Sequence, residues 1–131
     1  MAAMTPPSPS ALRDAALEFL HLCAAGRVEE AYGRFAAPNF RHHNPHFRGD
    51  AASLAAGMAD NARQFPNKQL EILRSLAEGE LVALHCRVRM TPDGPGIALI
   101  HIFRFESGRI AELWDVGQFP PEQSPNEFGM F

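Results

Sequence analysis

The spacing of apolar residues changes period once along this chain, at Pro66, and that change restricts the fold more than any other feature. Before it, Leu12, Ala16, Phe19, Leu20 and Cys23 recur at intervals of three and four. That is the stripe of an amphipathic helix, with Ser10 as its candidate N-cap and Gly26 near its end. Val28, Ala31, Tyr32 and Phe35 repeat the interval in a shorter helix, and Leu54, Met58 and Phe65 mark a third from about Ala51 to Gln64. After Pro66 the period is two, as strands require. Val82, Leu84, Cys86, Val88 and Met90 alternate cleanly; Ile97 to Phe105 and Ile110 to Gln118 give two further strands. Leu70, Ile72 and Leu76 suggest an earlier strand, in a stretch that local signals leave ambiguous. Asn44-Pro45 and Gly49-Asp50 make Phe40 to Asp50 read as a loop. Helices followed by a meander predict an α+β domain whose helices cover one face of a curved antiparallel sheet. Residues 1 to 9, rich in Pro, Ser and Ala, are expected to be loose, and 10 to 131 to form a single domain.

Composition narrows the function classes. The 131 residues carry a formal net charge of -3 and 46% hydrophobic content, without a basic stripe, so nucleic acid is not an expected partner. No apolar run approaches the roughly 20 residues of a spanning helix, and no secretory leader is recognisable; a cytoplasmic protein without membrane association is the expectation. Cys23 and Cys86 stand in no ligand-like spacing and read as buried free thiols.

The connection FESGR decides which side chains meet, because loop length sets register. With Ser107-Gly108 as a two-residue turn, Phe105 pairs with Ile110 and His101 faces Trp114, leaving Asp115 on the opposite side. With Glu106-Ser107-Gly108 as a three-residue loop and Gly108 left-handed, Phe105 pairs with Arg109 and His101 with Leu113. The second register is preferred. It places His101 and Asp115 on one face, diagonally adjacent and roughly 7–8 Å apart at Cα. That face also carries Ile97, Leu99, Phe103 and Leu113, so two ionisable groups lie in apolar surroundings. Such a pair is either a structural hydrogen bond in the core or a working pair in a cavity. Trp114 would share the other face with Ile100, Ile102 and Val116, and covering so apolar a surface predicts a homodimer through the sheet.

FRHHNPHFRGD, Phe40 to Asp50, holds three of the six histidines. Zinc asks for three or four converging ligands, whereas neighbouring residues of a short loop point apart, so no metal is expected. The remaining readings are a plain surface turn, or a pocket lip on which His43 or His46 bonds a ligand or a strand end.

Three stretches, HHNP at His42 to Pro45, IFRFESGRIAELWDVGQ from Ile102 to Gln118, and the terminal FGMF, resemble the SnoaL-like polyketide cyclases of the nuclear transport factor two-like superfamily. The resemblance spans nearly the whole chain from about Leu12. It implies a cone-like α+β barrel, a strongly curved sheet wrapped around N-terminal helices with a pocket at the wide end. It also implies a catalytic acid/base aspartate in the last strand with a histidine on the neighbouring strand, positions matched by Asp115 and His101. His43 and Asn44 match the loop motif at the pocket mouth, and Gln118 a polar position after WDV. Many relatives carry a histidine before the Trp where this chain has Leu113, which removes one polar contact.

The expected activity is therefore an intramolecular aldol closure of a small hydrophobic carbonyl compound, without a cofactor. A carboxylate in an apolar pocket is destabilised in its charged form and becomes a stronger base. Asp115 would be the base, with His101 orienting it or donating to the developing enolate. His46, His85, Leu99 and Phe103 complete the candidate pocket contacts, although His85 alternates with Arg87 and Arg89 and fits solvent equally well. A non-catalytic binding module, or an isomerase, dehydratase or epoxide hydrolase, are the alternatives.

Overall fold

A computed structural model describes residues 5–131. The expectation of a loose N-terminus falls partly on residues 1–4, which lie outside the described residues. Helix α1, Pro9–Ala24, starts two residues before the position expected, because Ser8 rather than Ser10 is the cap: its Oγ accepts from the Ala11 amide at 3.1 Å, and Pro9 fills the first helical position. Gly26, at φ 83°, takes the left-handed conformation that closes the helix. Helix α2 is Val28–Phe35 and α3 is Ala51–Gln64, the latter capped by Asp50, whose carboxylate accepts from the Ser53 amide at 2.9 Å.

Five strands form one open mixed sheet: β1, Ala36–His42; β2, Gln69–Glu78; β3, Leu81–Arg89; β4, Ile97–Glu106; and β5, Arg109–Gln118. Their spatial order is β1-β5-β4-β3-β2; β2 to β5 form the expected antiparallel meander, and β1 lies parallel to β5 at the edge. β1 corrects the reading of Phe40 to Asp50 as a loop throughout. Its stretch AAPNFRH carries Pro38, which an edge strand tolerates, and its pairing with β5 is long-range and irregular, a partner that local signals do not announce.

The three helices cover the concave face. Phe19 of α1 sits edge-on to Phe103 of β4 at 6.0 Å and to Tyr32 of α2 at 5.1 Å, and these rings with Phe105, Ile110 and Leu113 close the narrow end. Helix α3 behaves differently. Leu54 is its one buried residue, so it stands off the sheet and leaves a hollow at the wide end. Among the described residues no helix is long and apolar enough to cross a membrane.

Candidate active site

The β4–β5 hairpin starts in the two-residue-turn register, the reading not preferred, and then shifts, so that neither reading holds along its whole length. Ser107, at φ 50°, and Gly108, at φ 79°, form a two-residue turn with both residues left-handed, and Glu106 pairs with Arg109. Phe105 then pairs with Ile110, but Arg104 pairs with Glu112, so Ala111 is an extra residue in β5. Beyond this bulge His101 lies directly opposite Asp115, rather than opposite Leu113. The true register differs from the preferred one by two residues. Because strand side chains alternate with period two, the faces are unchanged. His101 and Asp115 share the concave face, and Trp114, Ile100, Ile102 and Val116 the convex one.

A cavity of about 450 Å³ opens between α3 and the sheet, and both His101 and Asp115 line it. Its walls are mainly apolar, from Leu20, Leu54, Met58, Leu70, Val88 and Leu99. Asn44 Nδ2 donates to Asp115 Oδ2 at 3.1 Å, and Asn44 Oδ1 accepts from the His46 amide at 3.0 Å. The Asn-Pro loop thus positions an amide over the carboxylate. His101 is buried, its ring stacked 6.2 Å from Phe103 and its Nδ1 3.9 Å from the Cys86 thiol. Burial depresses its pKa to about 4, against the opposing pull of Asp115, so the imidazole is neutral at physiological pH. Both cysteines are free and buried, and burial pushes the Cys86 thiol up to about 11 and Cys23 to about 12.

The other pocket candidates divide. Leu99 lines the cavity, whereas Phe103 and Leu113 are fully buried behind it in the core. His85 and Gln118 lie on the convex face and are corrected as pocket contacts: His85 pairs with Ile100 across the ladder, its Nδ1 2.9 Å from Arg74 Nη1, and Gln118 pairs with Ala98. The loop histidines diverge. The His42 Nε2 is 2.5 Å from the Arg48 carbonyl oxygen; His43 stacks on Trp114 at 5.2 Å on the convex side; His46 is exposed. His43 and His46 are therefore corrected as cavity contacts, and from this loop the cavity takes Asn44 and Phe47. The Phe47 ring fits against the bare backbone of Gly57 in α3, where a β-carbon would overlap it.

Sequence reasoning missed Asn61, Cys23 and Lys68, which line the cavity from α3, from α1 and from the residue before β2. Lys68 is half-buried and its Nζ donates to Asn61 Oδ1 at 2.6 Å. No local pattern marks Lys68, but the α3 spacing of Leu54, Met58 and Asn61 puts Asn61 on the inward stripe.

No curated protein matches the sequence. Among solved structures, AclR of Streptomyces galilaeus, a candidate hydroxylase, shares 24% identity, covering 84% of this chain and 80% of that one, with a TM-score of 0.69. TsrD of Streptomyces laurentii shares 20% identity over 85% and 90% of the two chains, with a TM-score of 0.70. A candidate isomerase of the SnoaL-like family from Agrobacterium tumefaciens shares 16% over 82% and 98%, at 0.67. These likenesses show a common fold, that of the nuclear transport factor two-like cone. The SnoaL-like domain model matches residues 16–113, three quarters of the chain, and the chain belongs to that family.

Proposed function

We propose that the chain is an enzyme that removes a proton next to a carbonyl of a hydrophobic substrate, as an aldol-type cyclase does. The single observation that carries this reading is the direct opposition of Asp115 and His101 inside one accessible, mainly apolar cavity. Asp115 carries no cationic partner among the described residues, so its carboxylate is free to act as the base. His101, neutral at physiological pH, is suited to donate a hydrogen bond to the enolate oxygen without losing its own proton first. The enolate carbon then forms a bond to the acceptor carbonyl carbon, and the resulting alkoxide takes the proton that Asp115 removed. Asn44 holds Asp115 in line and keeps its side chain at the loop end of the cavity.

The test needs no natural substrate. Incubation with 2-decanone in D2O, followed by NMR, should show deuterium entering the positions beside the carbonyl, and Asp115→Asn should abolish it. Exchange unchanged in that variant would sink the reading. An isomerase uses the same first step and returns the proton to a different carbon; the Agrobacterium relative's description as a candidate isomerase favours keeping it as the second reading. No exchange with the native chain would favour a binding module.

The convex face supports a second copy of the chain as partner. Leu76, Ala83, Ile102 and Trp114 form one apolar row across four strands, and Leu76 is 72% exposed. Homodimerisation over this row would remove that surface from water. Light scattering at micromolar concentration that returns a monomer mass would reject it.

A further inference from the structure

The cavity has two polar ends, and the proposed chemistry uses one of them. Asp115, Asn44 and His101 form the first. The strand ladder leads from it to the second: Leu99 is the next inward residue of β4 after His101, Val88 pairs with both Ile97 and Leu70, and Lys68 stands one residue before β2, level with Met90. Leu99, Val88 and Leu70 therefore lie between the two ends. On the opposite wall, Leu54 and Asn61 are seven residues apart on α3, roughly 10 Å along its axis.

At this second end Lys68 has no carboxylate partner among the described residues. Asp60, the other acidic residue of the cavity wall, is engaged by Arg63 at the surface. The hydrogen bond Lys68 makes is to a neutral amide, the Oδ1 of Asn61. That bond leaves the Asn61 Nδ2 as a donor beside the ammonium. A half-buried ammonium beside a spare amide donor is a site for an anion with two oxygens. Burial also lowers the Lys68 pKa, an effect that an anionic ligand would reverse.

We propose that the ligand of this cavity is a carbonyl compound that also carries a carboxylate, separated from the carbonyl by an apolar stretch, with the carboxylate held by Lys68 and Asn61. This deepens the acid/base reading and rests on it, since the carbonyl end is the one placed at Asp115. Lys68 and Asn61 act as specificity determinants: they fix the far end of the substrate and thereby the carbon presented to the base.

Calorimetric titration of the full chain with 9-oxodecanoate and with its methyl ester tests the assignment, because the two probes differ in charge at one end. The acid should bind roughly tenfold to a hundredfold more tightly than the ester, the range expected for hydrogen bonds to a charged group. Lys68→Met should abolish that preference, bringing acid and ester to equal affinity, at a thermal midpoint that shows the variant folded. Lys68→Gln serves the same purpose should the Met variant not fold, and Asn61→Ala should reduce the preference in part. Equal binding of acid and ester, an undiminished preference without Lys68, or no binding of the acid to the native chain overturns the proposal. Asp115→Asn separates the two readings. It should lose deuterium exchange beside the ketone of the same probe and keep the acid preference, so either can fail alone.

Discussion

Glu112 and Asp115 stand three residues apart on β5, on opposite faces of the sheet, and their surroundings have almost nothing in common. Glu112 is held by two guanidinium groups and an imidazole. Arg41 Nε lies 3.0 Å from it, His43 Nε2 2.5 Å and Arg104 Nε 3.1 Å. Its hydrogen bonds to Arg41 first, then to His43 and Arg104, pull its pKa down to about 2. Asp115 has one neutral amide for a partner and an open cavity before it. A carboxylate bonded by two guanidinium groups stays ionised and braces the sheet; on the proposed reading, one left with a single amide and an open cavity serves as a base. On the proposed reading, two acids of one strand divide into a fastening and a reagent.

The largest effect should come from the reagent. Asp115→Asn is expected to lower deuterium exchange by about 10²–10⁴-fold, the span typical of a lost general base, while changing stability by less than about 0.5 kcal/mol. A fall in the denaturation midpoint as large as the fall in rate would make Asp115 another fastening and end the comparison. Glu112→Gln should do the reverse. Urea unfolding should report a loss of about 1–2 kcal/mol, at the low end for charged hydrogen bonds because Arg41 and His43 are largely exposed, with exchange retained.

Acid titration sharpens the contrast. Glu112 has a folded pKa below its ordinary value of 4.5, so the unfolded chain binds its proton first as pH falls. The stability it contributes is complete above about pH 4.5 and is lost towards pH 2, and Glu112→Gln should lack that portion of the decline. His101 acts in a higher window. Its folded pKa of about 4 lies below the ordinary 6.5, so acidification from 6.5 to 4 protonates the unfolded state preferentially and destabilises the fold. His101→Gln should flatten that segment of a plot of unfolding free energy against pH. The smallest effect is expected from Asn44→Ala, which removes the amide on Asp115: roughly a tenfold loss of exchange at constant thermal midpoint.

How far the sequence alone could reach depended on the range of the interactions involved. Helices α2 and α3 and strands β3 to β5 follow from periodicity, and α1 differed at its start because Ser8 and Ser10 are both capping residues. The pairing of His101 and Asp115 on one face followed for a partly mistaken reason. Ile110, Ala111 and Leu113 break strict alternation, which is the mark of a bulge, but FESGR drew the extra residue into the turn instead. The two displacements have the same parity, so the face survived the error. β1 and the Glu112 cluster were out of reach, since Arg41 and Glu112 meet only through a parallel pairing 71 residues apart in the chain. Lys68 was missed for a similar reason. Its significance comes from what surrounds it in space, not from any spacing around it.

The meeting of Phe47 with Gly57 has its own consequence for the wall of the hollow. A loop ring rests in a notch of α3 that exists only because position 57 lacks a side chain. One added methyl there, as in Gly57→Ala, would displace the ring from its notch without touching either acid. The helix thus seats an aromatic part of the cavity wall by an atom it omits.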